Sequence, residues 1–438
     1  QDSVGRLNHL TESEGNTLSH KIVVGGSKNK YQWMKNGVDI AGQTTGRLFI
    51  NGANASHSGE YILKITNTIA TDLTLYSKVI KVNVTDDLRQ RDSLALVALY
   101  NLTDGANWKN KTNWLTSEPI DKWYGITVEN DRVSKLRVYN NKLSGSLPEE
   151  IKNLTELRVF NFQSNILTGN IPLWIGNLKK LDYIDLSNNK FTGSIPDTIA
   201  TLPLLTNLYL NLNTLSGNIP TVIGELSNLK RLYLQSNNLT GSIPKEIGNL
   251  DLLEHLSINH NQLEGNIPAE LGNLSNVETI LLYDNKLVGE IPNELGKLSN
   301  LKYLYLFGNN LTGQIPATLG DLSKLIILNL GYNKLSGQIP AKLGSLSKLK
   351  RLYLPGNELT GVLPKELGQL SSIEQLHLSN NQLTGKIPNE FSDLKNIQSF
   401  NVDNNKLSGA IPASLSNITS YVTVNISKNM FDSIPVFP

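Results

Sequence analysis

A chain of 438 residues with 40 basic and 38 acidic side chains carries a net charge of +2, so it projects no global field toward nucleic acid or an anionic membrane. Cysteine is absent, which excludes a disulfide framework, a thiol nucleophile and a thiolate metal site. No apolar run reaches the ~18 residues of a membrane span, so no membrane insertion is expected. The chain begins at Gln1 without an apolar leader and reads as processed or trimmed.

Residues 1–85 hold short alternating runs: KIVV (21–24), YQWM (31–34), RLFI (47–50), GEYILKIT (59–66) and SKVIKVNV (77–84). Turn residues punctuate them at the spacing of a β-sandwich. YQWMKNGVDIAG at 31–42 and ASHSGEYIL at 55–63 resemble an immunoglobulin-like domain. The resemblance implies that Trp33 is the core tryptophan, that Tyr61 makes the tyrosine corner, and that Ile22 and Leu63 stand where such domains carry a disulfide.

Residues 86–130 predict a helix and an aromatic turn. Within DSLALVALYNLTDGANW (92–108), positions 94, 97, 98 and 101–102, all apolar except Asn101, suit a short amphipathic helix. Trp108, Trp114, Trp123 and Tyr124 follow, and the tryptophans read as core rather than as a binding surface.

From residue 131 the chain repeats. An Asn recurs thirteen times from Asn141 to Asn429, and every spacing is 24. Two residues after each stands an apolar residue, Leu143 through Phe431. The first twelve units add Gly four residues on (Gly145 to Gly409) and Pro seven residues on (Pro148 to Pro412). The unit is LxxLxxLxLxxNxLxGxIPxxLGx. Its LxL segment is a strand with buried leucines, its Asn can bond backbone groups of adjoining coils, and each unit can bury its apolar side only against its neighbours. The last unit departs, with Ser433 in place of Gly and the Ile434–Pro435 pair one residue early. That abrupt end reads as the array's terminus or as a cut in a longer chain.

These residues resemble the plant-type leucine-rich repeat family, whose repeat carries the same LxGxIP segment. The resemblance implies a right-handed superhelix with a parallel concave β-sheet, short second strands and 3₁₀ turns or loops on the convex side. It implies that WYGITV at 123–128 closes an N-terminal cap, with Val128 at a usual cysteine position. The expected organisation is an immunoglobulin-like β-sandwich over 1–85, a cap over 86–130 and a leucine-rich repeat solenoid of thirteen units over 131–438. A plant-type repeat with an immunoglobulin-like domain and no cysteine looks more like a bacterial cell-surface protein than a plant receptor.

No GxSxG, HExxH or Walker A motif occurs, and no GxGxxG in a strand–turn–helix context. Catalytic residues, cofactors and metals are therefore not expected, and the chain does not read as an enzyme. Seven residues before the ladder Asn, lateral neighbours of opposite charge adjoin: Arg158–Asp182, Lys230–Glu254, Glu278–Lys302 and Lys350–Glu374. The adjoining Glu254 and Glu278 could form a glycosidase pair, but neither has a pocket that would raise its pKa. His260 should hydrogen-bond Asp284 in the next unit rather than hold a metal.

Aromatics crowd the positions that leave the sheet on its concave side. The candidate binding residues are Tyr183, Tyr209, Arg231, Tyr233, His255, Tyr283, Tyr303, Tyr305, Phe307, Tyr332, Arg351, Tyr353 and His377. Strand propensity and cross-strand stacking explain part of this enrichment, at roughly 0.2–1 kcal/mol per pair. They do not explain why aromatics almost vanish from this face after Asn381, whereas a contact surface does. The resemblance implies an extracellular or cell-surface recognition or adhesion protein that binds a protein or peptide. Carbohydrate binding and a spacer role in a larger adhesin remain open, as does a second copy of the chain as partner. Ten Asn-x-Ser/Thr sites, Asn54, Asn101, Asn238 and Asn310 among them, could carry glycans only in a eukaryotic host.

Overall fold

The computed structural model describes residues 9–13, 16–85, 88–412 and 423–432. The chain divides into two compact units, 1–91 and 92–438.

Among its described residues the first unit has eight strands: β1 (His9–Ser13), β2 (Leu18–Lys21), β3 (Asn29–Lys35), β4 (Val38–Asp39), β5 (Arg47–Ile50), β6 (Gly59–Asn67), β7 (Thr74–Tyr76) and β8 (Ile80–Thr85). One sheet has the order β1-β8-β6-β3-β4, with β7 paired to β6, and a second pairs β2 with β5. Both contribute to one core, which holds Leu18 and Leu48 from the small sheet and Trp33, Tyr61 and Leu63 from the large one. The buried polar atoms are satisfied: Trp33 Nε1 donates to Thr45 O at 3.0 Å, and Tyr61 Oη to His57 O at 2.7 Å. The run expected as a strand at 21–24 is displaced. Its strand ends at Lys21, and Val23 is exposed.

The second unit opens with α1 (Leu88–Leu102), which spans the division between the units. Its phase differs from the sequence expectation. Ala95, Leu96 and Leu99 are buried with Asp92, while Leu94 and Leu102 face solvent. The helix is apolar on several sides, so periodicity left its phase open. A buried ion pair sets it: Asp92 accepts from Arg132 Nε at 3.0 Å, Arg132 Nη2 at 2.9 Å and Val133 N at 2.8 Å. Trp108, Trp114 and Trp123 are core, with successive ring centroids 4.8 and 5.1 Å apart. Each indole N–H donates to a backbone carbonyl at 2.9 Å.

After the tryptophans, β9 (Ile126–Glu129) pairs antiparallel with β10 (Arg132–Arg137), and every later described strand of the fourteen-stranded sheet is parallel, ending at Thr423–Asn425. Short second strands lie at the LxGxIP segments, from Ser144–Gly145 to Met430–Phe431. Each Pro from Pro148 to Pro388 precedes a five-residue 3₁₀ turn on the opposite side, where its missing N–H costs nothing. Gly313 takes φ +74°, a left-handed conformation only glycine adopts freely. Gly344 is needed for space, since a Cβ there would stand 2.1 Å from the Glu366 carbonyl oxygen.

The Asn ladder forms as the repeat implies. From Asn165 on, each amide donates to the carbonyls three and 27 residues back and accepts from the N–H 22 residues back; Asn309 does so with Leu306, Leu282 and Leu287 at 3.0–3.1 Å. Asn141 differs, exchanging both of its bonds with the Asn110 backbone in the cap. A second ladder escaped the sequence reading. Asn228, Asn276, Asn300 and Asn396, nine residues before their ladder Asn, donate to carbonyls of the preceding repeat at 2.7–2.8 Å. The departures at Ser433 and Ile434–Pro435 lie outside the described residues.

Candidate functional site

Most strands of the long sheet are three residues long, and the central residue of each but the last, such as Leu232, Leu304 or Leu352, is buried in the core, whereas Val424 of the last is exposed. Alternation therefore sends the first and third to the open face. Tyr183, Arg231, His255, Tyr303 and Arg351 occupy first positions. Tyr209, Tyr233, Tyr305, Tyr353 and His377 occupy third positions. Tyr283 and Phe307 stand two residues past their strands and meet the same face.

Parallel register sets Tyr209 beside Tyr233 and Tyr353 beside His377, and rings at first positions reach them diagonally. Tyr183, Tyr209, Tyr233 and His255 form one series with centroid spacings of 5.5, 5.0 and 6.4 Å. Tyr283 lies 6.1 Å from Tyr305 and 4.4 Å from Phe307, and Tyr353 lies 4.9 Å from His377. Tyr332 does not belong with them. It sits in the turn beyond Ile327–Asn329 at φ 52°, exposed, with its ring against Gly356. The residue before each ladder Asn adopts this left-handed conformation, which takes it out of strand alternation.

Burial pushes up the phenols of Tyr183, Tyr233, Tyr283, Tyr305 and Tyr353, so they stay un-ionised at neutral pH. Burial lowers both face histidines, aided at His255 by Arg231. A folded-state pKa below the ordinary 6.5 means that the unfolded chain binds protons first as pH falls. Stability contributed by neutral His255 and His377 should thus decline from pH 6.5 downward. Thermal melts across this range should show a smaller decline in a His255→Gln/His377→Gln chain; an equal decline would refute the assignment.

All four expected lateral ion pairs form: Arg158–Asp182 at 2.9 Å, Lys230–Glu254 at 3.9 Å, Lys302–Glu278 at 2.7 Å and Lys350–Glu374 at 2.9 Å. Arg231 adds a bond to Glu254 at 3.1 Å, and His260 meets Asp284 at 3.1 Å. Lys302 holds the Glu278 carboxyl below its ordinary range, the opposite of what a general acid needs. The sequence reading missed Asp185. It is buried beneath the face, accepting from Ser187 N at 3.0 Å, Ser187 Oγ at 2.6 Å and Tyr183 Oη at 3.2 Å. Its D-x-S spacing on the strand was the available signal. Among the described residues no helix is long and apolar enough to cross a membrane, and no cluster could hold a metal ion.

A parallel ladder of 24-residue coils with an inner Asn defines a solenoid repeat protein with an open aromatic face. The chain belongs to the leucine-rich repeat family: its leucine-rich repeat region description matches residues 144–290 and 285–433, and a single leucine-rich repeat matches 132–154. A probable leucine-rich repeat receptor-like protein kinase of Arabidopsis thaliana is 35% identical over 83 residues, 16% of this chain and 9% of that protein. The crystal structure of PEPR1–AtPEP1 superposes with a TM-score of 0.70 at 35% identity, over 79% of this chain and 53% of that one. The plant peptide hormone receptor RGFR1, in complex with RGF2, gives 0.65 at 35% identity, over 66% of this chain and 46% of that one. The chain thus spans about half the length of these receptor structures.

Proposed function

We propose that the chain is an extracellular or cell-surface recognition protein whose open face binds an extended peptide or protein segment. The observation that carries this is the ring series itself: aromatic side chains that the repeat does not require, in contact across adjacent strands on a solvent-facing sheet. The similarity to a plant peptide hormone receptor supports the same class of partner.

The ring geometry favours a peptide over a sugar. A pyranose stacks on a free aromatic face, but Tyr209 and Tyr233 lie 25° from parallel and Tyr283 and Phe307 13°, each covering its neighbour. Rings that cover one another leave few free faces for a sugar, and the arginines and histidines set among them suit the side chains and amides of a peptide.

The supporting domains are an immunoglobulin-like module over 1–85, a cap over 86–130 and the solenoid over 131–438. The buried Trp33, the bond from Tyr61 to His57 O and the core shared by two sheets support the immunoglobulin-like assignment. The module acts as a spacer or second contact. A bacterial source and an adhesion role draw no support from the plant proteins compared above.

Selection from a random peptide display library on the intact chain tests the reading. Peptides selected on the wild type should bind at least about tenfold more weakly to Tyr209→Ala/Tyr233→Ala and to Tyr305→Ala/Tyr353→Ala chains that melt normally, a loss of ~1.4 kcal/mol. Peptides indifferent to both pairs, or hits on a glycan array alone, would overturn it.

A further inference from the structure

Resting on that reading of the open face, we propose that the strand Ile327–Asn329 floors a specificity slot that accepts an acidic side chain from an extended peptide. Register sets Tyr303, Ile327 and Arg351 in one row and Tyr305, Asn329 and Tyr353 in the next. Two residues on, Gly331 contributes no side chain, and Pro355 closes against it. A strand with a low surface therefore lies between two strands that carry rings. Among the described residues no ring contact bridges it: the series through Tyr305 and Phe307 stops on one side, and the Tyr353–His377 pair begins on the other. The rims stand two strand spacings apart, about 9.5 Å, which leaves room for one side chain between them.

The chemistry of the slot is one-sided. Arg351 begins the strand that carries Tyr353, in one register row with Ile327 and Tyr303, and its charge acts on the phenols of Tyr305 and Tyr353. Among the described residues it has no ion pair and no side-chain hydrogen bond. Its neighbour Lys350 is tied to Glu374, and Arg231, at the same position five repeats earlier, is tied to Glu254. Asn329 uses Oδ1 to accept from Gly331 N at 3.2 Å, which leaves its Nδ2 protons as donors. No carboxylate belongs to the three strands that form the slot. A half-buried guanidinium without a counterion, among neutral donors, selects a carboxylate, which it can hold through two parallel bonds. The aromatic face continues on both sides of the slot, so the peptide passes over it rather than ending in it. The carboxylate therefore comes from an internal Asp or Glu, whose methylene stem lies between the rings.

The test uses the same display library, selected in parallel on the wild-type and Arg351→Glu chains. Wild-type selections should share one acidic position, and synthetic peptides carrying it should bind Arg351→Glu about 100-fold more weakly. Selections on Arg351→Glu should replace that acidic residue with Lys or Arg. Asn329→Phe, which fills the slot, should weaken the same peptides by about tenfold or more with an unchanged melt. Amidating the peptide C-terminus should change nothing. Selections without an acidic position, binding that survives Arg351→Glu, or binding lost on amidation alone would each overturn the slot. The peptide reading fails separately, through indifference to Tyr209→Ala/Tyr233→Ala, which lies outside the slot.

Discussion

Replacing Asp92 with alanine is expected to destabilise the solenoid unit by about 3–5 kcal/mol, the cost of removing one partner of a buried ion pair. The Asp92 carboxylate is fully buried and satisfies three donors, two from Arg132 and one from the Val133 backbone. Alanine would leave the guanidinium, itself largely buried, and a buried N–H without that acceptor. The pair also ties α1 to β10, the first strand of the sheet that pairs in parallel, so its loss leaves only the apolar packing of Ala95, Leu96 and Leu99 to hold the helix there. Asp92→Asn keeps the shape and one acceptor and should lose less. Urea denaturation of the three chains measures the order; an Asp92→Ala change within about 0.5 kcal/mol, the range of ordinary surface substitutions, would show that the pair stabilises nothing.

A ladder position should cost nearly as much. Asn309→Ala is expected to destabilise by about 2–4 kcal/mol, from one orphaned buried N–H and two lost bonds. The N–H is that of Leu287, which Asn309 Oδ1 accepts at 3.1 Å. The carbonyls of Leu282 and Leu306 fare better, because Asn285 and Asn333 also donate to them. Asn309→Asp should be worse at neutral pH, since a carboxylate would face two carbonyl oxygens with no proton to give them. Asn310→Ala, on the surface one residue later, is the control. Because repeats touch only their neighbours, the denaturation curve should broaden as well as shift. Equal midpoints for Asn309→Ala and Asn310→Ala would refute the ladder's role.

What the sequence revealed follows from its period. Once Asn recurs every 24 residues, strand spacing alone decides which side chains adjoin. That is why Lys302–Glu278, Lys350–Glu374 and the His260–Asp284 bond could be named before any coordinates. What lacked a period was not legible. Asp92 and Arg132 are 40 residues apart with no motif joining them, and an all-round apolar helix gave no sign of which leucines would face water. Tyr332 misled for a local reason: strand alternation was extended one residue into a turn whose backbone is left-handed. The proposed slot over Ile327–Asn329 is implicit in the register, but a low strand between large residues leaves no residue pattern of its own in the sequence.

The shared carbonyls of the Asn ladder have a further consequence. Each coil hands one acceptor forward and takes one from behind, so any coil can be excised or duplicated and the broken ends still match, provided the edit is a whole 24-residue block. The open face can therefore grow or shrink only in quanta of one strand, about 4.8 Å. Deleting the block that carries Ile327–Asn329 would bring the Tyr305 and Tyr353 rings into contact and erase the slot while leaving the fold intact. Duplicating it would widen the slot by one strand. On the proposed reading, ligand choice in such a chain would be set by the order of interchangeable coils as well as by the residues within them.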